Sequence, residues 1–250
     1  MNDNYRFSRL ELLIGADAVA GLAGSSVAVF GVGGVGSYAV EALARGGVGR
    51  LTLIDYDKVV PSNINRQLHA LEGSIGHPKV QLMAERCRAI NPDIAVEPLQ
   101  ACYQAETSAE LLDRGYDYVL DCIDTISAKI HLIASCRERG LPIIAAMGAA
   151  NKRDPAKVAV ADLFTSQKCR LARIIRKELR RRGIRDGVKV VYSTEEYRPL
   201  PGSTPGQSDG RGTPEHVPLT LGSCSYLPPI FGLTMAGEVL RTLQGDRAGE

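Results

Sequence analysis

Between residues 27 and 55 the chain passes through an apolar run, a glycine-rich turn, an alanine-rich stretch and a second apolar run, and few folds accept that order. Val27, Ala28, Val29, Phe30, Gly31 and Val32 carry no polar alternation, which is the pattern of a strand buried on both faces of a parallel sheet. The glycine-rich turn follows, then helix-favouring residues 35–45, then a second strand ending at Asp55. Strand, helix and parallel strand make a βαβ unit, whose crossover is right-handed.

The alternation continues. Residues 79–90 read as a helix that stops before Asn91 and Pro92, 95–99 as a strand, 108–114 as a short helix and 118–121 as a strand. Residues 127–139 read as a helix closed by Gly140, and 141–146 as a strand. Ahead of the first strand, residues 8–22 predict one amphipathic helix, with Leu10, Leu13, Ile14 and Ala18 on one face, ended by Gly21 and Gly24. After Gly148 the texture changes: strands at 158–162 and 188–193 flank a basic helix, residues 199–218 read as a mobile loop, and 230–243 as a terminal helix. The expected fold is therefore α/β: a Rossmann-like, mostly parallel sheet with helices on both faces, extended by antiparallel strands in the second half. One domain of 1–250 is expected: a helical segment 1–24, a nucleotide-binding core 25–150, and an extension 151–250 for substrate binding and dimerisation.

Composition removes several alternatives. The 250 residues are 44% hydrophobic, enough for a core, and a net charge of +2 makes no whole-molecule case for nucleic acid. Residues 1–9 are polar and lack the apolar stretch of a signal peptide, and no apolar run reaches transmembrane length. No two of Cys87, Cys102, Cys122, Cys136, Cys169 and Cys224 form a C-x-x-C pair. No structural zinc is therefore expected, and the scattered thiols suit a reducing cytoplasm. His69, His77, His131 and His216 show no ligand spacing and read as structural.

Gly31, Gly33, Gly34 and Gly36 form a G-x-G-G-x-G turn between a strand and a helix, the context that gives such a motif its value. Glycines let the backbone approach phosphate, and the helix N-terminus offers free N–H groups and partial positive charge. Asp55 stands where a carboxylate can take ribose hydroxyls. This alone does not separate a nicotinamide cofactor from ATP. The residues beyond Asp55 do: Asp57, Asn63, Arg66 and Lys79 follow it, and a leaving pyrophosphate needs such cations whereas hydride transfer does not. Asp121 and Asp124 end another strand on the same edge, where a carboxylate can hold Mg²⁺ beside phosphates.

Arg6-Phe7-Ser8-Arg9, the glycine loop, Asp55-x-Asp57, Asn63-x-Asn65-Arg66-Gln67, Pro78-Lys79 and Asp121-Cys122-Ile123-Asp124 occur in the order of the E1-like adenylating family, which the chain resembles from residue 5 to 150. The resemblance implies that Asp55 binds ribose and that Asn63, Arg66 and Lys79 contact phosphates. It further implies that Asp124 holds magnesium, and that Arg9 reaches the ATP site of the other subunit of a homodimer. The second half, with Met147-Gly148-Ala149-Ala150-Asn151-Lys152, the basic helix and Gly222-Ser223-Cys224-Ser225-Tyr226-Leu227-Pro228-Pro229, resembles the tRNA threonylcarbamoyladenosine dehydratase branch.

In that branch ATP activates a threonyl carboxylate on a modified adenosine of tRNA, and loss of the activated group closes a ring. The helix holding Arg173, Arg176, Lys177, Arg180 and Arg181 then serves as the tRNA contact, since clustered cations neutralise phosphates without reading sequence. Cys224 is a candidate thiol nucleophile whose apolar surroundings favour an inert core role. Whether a sulfur-relay protein assists stays open. The rival readings are an activator of a ubiquitin-like or sulfur-carrier protein, a non-catalytic nucleotide-binding scaffold, and a nicotinamide oxidoreductase.

Overall fold

The computed structural model describes residues 5–196 and 221–245; the expected loop at 199–218 lies outside them. Among the described residues seven strands form one sheet: β1 (Ser26–Phe30), β2 (Arg50–Ile54), β3 (Ala95–Leu99), β4 (Tyr118–Asp121), β5 (Ile143–Ala146), β6 (Val158–Asp162) and β7 (Lys189–Ser193). Their order is β3-β2-β1-β4-β5-β7-β6. Pairing is parallel from β3 to β7, so β7 continues the parallel sheet and only β6 runs antiparallel, against β7. The order reverses between β1 and β4. At such a reversal the two neighbouring connections leave to opposite sides and open a crevice beyond the carboxyl ends of the strands.

Alternate residues of each strand feed opposite layers, as the twofold period of a strand requires. Val27 and Val29 face the layer of α3 (Gly36–Arg45), α4 (Lys79–Ile90) and α8 (Leu227–Leu243). Ala28 and Phe30 face that of α5 (Ser108–Leu112), α6 (Ile126–Glu138) and α7 (Arg170–Arg181). Helix α8 supplies Leu227, Phe231, Met235 and Val239, all buried and four residues apart, a stripe one helical face wide. Each such side chain stabilises the fold by about 1.5–3 kcal/mol on burial. The helix lies so close to α3 that a Cβ on Gly232 would stand 2.2 Å from the Val35 carbonyl oxygen, and one on Gly46 2.6 Å from Leu240.

The single N-terminal helix expected over 8–22 is two helices. Gly15, at φ +85°, divides α1 (Ser8–Ile14) from α2 (Ala16–Gly24). The apolar period runs across the break, but a left-handed residue cannot continue a right-handed helix. Val19 and Leu22 of α2 are buried, whereas α1 buries nothing: Leu13 is 81% and Leu12 57% exposed. Arg6 ties the start of this segment down, donating to the Ile90 carbonyl at 2.7 Å.

Candidate functional site

The glycine turn lies at the β1/β4 crevice. Gly31 has φ +86°, and a Cβ there would meet the Cys122 carbonyl at the end of β4 at 2.7 Å. A Cβ on Gly36 would stand 1.9 Å from the Gly31 carbonyl oxygen, so both positions exclude any side chain. Gly34 lies under the stem of Arg66 and against Pro228, each 3.2 Å from where its Cβ would be. Gly33 faces Gln67.

Asp55 leaves β2 half-buried, its Oδ2 accepting from the Val32 N–H at 2.7 Å and its Oδ1 from the Asp57 N–H at 2.8 Å. Burial raises its pKa, and these two amides and the Lys79 charge pull it back. A carboxylate has about four acceptor positions, so two hydroxyls can still be received. Two residues on, Asp57 Oδ2 accepts from Lys79 Nζ at 2.6 Å. The lysine side chain is 5% exposed and the aspartate 44%, so the pair opens to solvent on its acidic side. Arg66 reaches the surface above Gly34, donating to the Ser62 carbonyl at 2.8 Å and to Asn65 Oδ1 at 2.9 Å. Asn63 is buried, and its Oδ1 accepts from the Val60 N–H inside a short 3-10 turn, which leaves only its Nδ2 for a ligand. His69 is buried close to this group, with neither ring nitrogen hydrogen-bonded. Burial, and then the Lys79 charge, lower its pKa to about 4, so it is neutral beside the lysine.

At the end of β4 the structure corrects one assignment and adds a residue the sequence concealed. Asp121, expected to touch the nucleotide, is fully buried. Its Oδ2 lies 2.9 Å from Nζ of Lys129, which is itself 1% exposed, and its Oδ1 accepts from the Ile123 N–H at 3.1 Å. Burial raises the Asp121 pKa, and the Lys129 charge opposes that incompletely. The pair sits beneath the turn that carries Asp124, which is exposed and close enough to Tyr56 to help raise that phenol's pKa, after the larger effects of Asp57 and of burial. Asp124 thus lies on the same strand-end edge as Tyr56, the residue between Asp55 and Asp57. A single exposed carboxylate suits Mg²⁺, which takes one or two protein carboxylates and completes its shell with substrate phosphates and water. Among the described residues no cluster of His, Cys, Asp and Glu could hold a metal unaided.

The second half closes over the same edge. Asn65 Nδ2 donates to the Ser223 carbonyl at 3.0 Å, and the Tyr226 hydroxyl to the Arg153 carbonyl at 2.8 Å. The half-buried Cys224 thiol lies 3.7 Å from the Lys152 carbonyl. Lys152 is buried and donates to the Glu195 carbonyl, while Glu195 Oε2 accepts from the N–H groups of Arg153 and Asp154.

The basic helix α7 needs one correction. Arg176 is half-buried and turned inward, its Nη1 donating to the carbonyls of Leu163 (3.0 Å) and Ser166 (2.6 Å) and to Ser166 Oγ (2.7 Å). It holds the turn after β6 and is not available to a phosphate. Arg173 and Lys177 are exposed; Arg180 lies over the Phe164 ring at 5.6 Å, and Arg181 pairs with Glu178 at 2.6 Å.

These features agree with known proteins. The tRNA threonylcarbamoyladenosine dehydratase of Bacillus subtilis (strain 168) is 43% identical over 97% of this chain and 96% of its own length. The crystal structure of the Escherichia coli tRNA N6-threonylcarbamoyladenosine dehydratase in complex with ATP matches with a TM-score of 0.85 at 34% identity, covering 98% of this chain and 96% of that one. The molybdopterin-synthase adenylyltransferase of Salmonella typhimurium (strain LT2) is 37% identical, but over only 56% of each chain. The family model described as ThiF matches residues 7–250, and the chain belongs to the ThiF family.

Proposed function

We propose that this chain uses ATP to activate the threonyl carboxylate of N6-threonylcarbamoyladenosine in tRNA and then closes that group into a cyclic nucleoside. The supporting observation is the extent of likeness: it runs through 97% of the chain for the Bacillus subtilis dehydratase and through 56% for the adenylyltransferase.

In the first step a carboxylate oxygen attacks the α-phosphorus of ATP, the bond to the bridging oxygen breaks, and pyrophosphate leaves with the electron pair. Asp55 receives the ribose hydroxyls, and Gly31, Gly33, Gly34 and Gly36 give the phosphates access to backbone N–H groups. Arg66 and Lys79 meet the growing negative charge, Lys79 by exchanging Asp57 for a phosphate oxygen. Asp124 would hold Mg²⁺ beside the phosphates, and the ion would supply further neutralisation of their charge. In the second step the ureido group of the same nucleoside attacks the acyl carbon, AMP leaves with the C–O electron pair, and the ureido proton passes to solvent. The attack is intramolecular, so proximity carries much of it. The two steps themselves consume no sulfur.

Two further parts of the reading concern assembly. The exposed apolar residues of α1 suit coverage by a second copy in a homodimer, which would deliver the neighbouring Arg9 to the partner's ATP. Arg173 and Lys177 of α7 suit the tRNA backbone. The protein would work in the cytoplasm, where its substrate is.

The test is mass spectrometry of tRNA nucleosides after incubation of threonylcarbamoyl-modified tRNA with the protein, ATP and Mg²⁺. A product lighter by one water, formed with one AMP each, is expected. ATP–pyrophosphate exchange that depends on a protein ending in Gly-Gly, with tRNA unaltered, would overturn the reading in favour of a carrier-protein activator.

A further inference from the structure

Accepting the tRNA reading, the substrate purine has a constrained position. The carboxylate to be activated hangs from the purine N6 through only a few bonds. When it meets the α-phosphorus, the base must lie at the rim of the phosphate site. RNA enzymes and binders hold such splayed bases on aromatic faces, because every base offers a π-surface. This chain has no tryptophan and only four phenylalanines.

One exposed aromatic ring stands at that rim on the second-half side. Tyr226 is 42% exposed. Three residues before it, Ser223 is bound by Asn65, the neighbour of Arg66; two residues after it, Pro228 packs over Gly34 of the glycine turn. Both flanks of the tyrosine thus touch the nucleotide-binding edge. Its hydroxyl is bonded to the Arg153 carbonyl at 2.8 Å, and Leu227 beside it is fully buried at the start of α8, so the ring is held in place before any ligand arrives. The exposed Arg153 side chain makes no ion pair or hydrogen bond among the described residues. Tyr56, also exposed, lies between Asp55 and Asp57 in sequence, just beyond the end of β2 and beside the carboxylate assigned to the ATP ribose.

We propose that Tyr226 is the stacking platform for the purine of the substrate nucleoside, and that Arg153 contacts an adjoining phosphate of the same strand. The pair would select an unpaired, splayed-out base and leave ATP binding alone.

The experiment uses the full chain and modified tRNA. Stacking of one base is worth enough to change affinity roughly 5- to 150-fold, so Tyr226→Ala should raise KM for tRNA by that factor with KM for ATP unchanged. Tyr226→Phe keeps the ring and should stay within about twofold of the parent. Binding is then measured with an anticodon stem-loop carrying the modified base and with one lacking that base. Direct stacking makes the two losses non-additive: Tyr226→Ala weakens the first ligand and not the second. Equal weakening of both ligands, a matching rise in KM for ATP, or failure of Tyr226→Phe to restore binding would overturn the proposal and assign the tyrosine to the framework. If the parent protein itself leaves the modified nucleoside unchanged and binds both stem-loops alike, the tRNA reading fails first, and this inference with it.

Discussion

Two lysine–aspartate pairs lie at strand ends on the same edge of the sheet, and they are built in opposite ways. Lys129 and Asp121, below the end of β4, are sealed, with exposures of 1% and 0%. Lys79 and Asp57, beyond the end of β2, share a 2.6 Å contact, but the carboxylate is 44% exposed. A sealed pair has no alternative partner, because water and ligands cannot reach it. An open pair can exchange, since the released carboxylate is simply rehydrated. One cation is therefore fixed in the framework and the other is placed to serve the proposed chemistry, at contact distances of 2.9 and 2.6 Å.

The largest effect should come from breaking the sealed pair. Lys129→Met leaves a buried, unpaired carboxylate and should cost about 3–5 kcal/mol of stability. Urea unfolding measures it. The double variant Lys129→Met, Asp121→Asn keeps the acceptor for the Ile123 N–H and removes the charge, and should recover at least about half of the loss. A single variant as stable as the parent would show that the pair is not the framework element described.

The open pair should behave the other way. Lys79→Ala should reduce ATP-dependent AMP release by at least about 10²–10³-fold, the usual effect of losing a donor to developing charge, with a melting temperature close to the parent's. Arg66→Ala should do the same. Near-normal turnover in either variant would remove that residue from the phosphate site.

The smallest effect separates committed from available cations within α7. Arg173→Gln with Lys177→Gln should flatten the dependence of log K for tRNA on log salt by roughly 1.4–1.8, at 0.7–0.9 per phosphate contact. Arg176→Gln should leave that slope unchanged and lower stability by about 1–2 kcal/mol through its lost carbonyl bonds. The reverse pattern would mean that Arg176 turns outward when tRNA binds.

The same distinction explains what could be read from the sequence. Strands β3, β4 and β6 and helix α4 fall where their composition and stop signals place them, because periodicity and punctuation are local properties. The glycine turn and the residues after Asp55 were legible for a related reason: they lie close together in sequence around one βαβ unit. Lys129 was not, since in α6 it looks like any solvated helical lysine until β4 places Asp121 beneath it, eight residues away. Arg176 misled for the converse reason: arginines crowd both sides of α7, and only the turn at 163–166 decides which one faces inward. The break at Gly15 was hidden by a helical spacing that runs across it from Leu10, Leu13 and Ile14 to Ala18, although Leu13 lies exposed.

Helix α8 completes the layer over α3, the helix that springs from the glycine turn, and it does so with residues 227–243. On a ribosome that order matters. Synthesis delivers the nucleotide crevice well before its apolar cover, so the emerging chain carries an open greasy flank on α3 for the roughly 180 residues between them. The chain can trade that flank for a packed one only once residues 227–243 have emerged, which makes chaperone demand during synthesis a built-in property of its architecture.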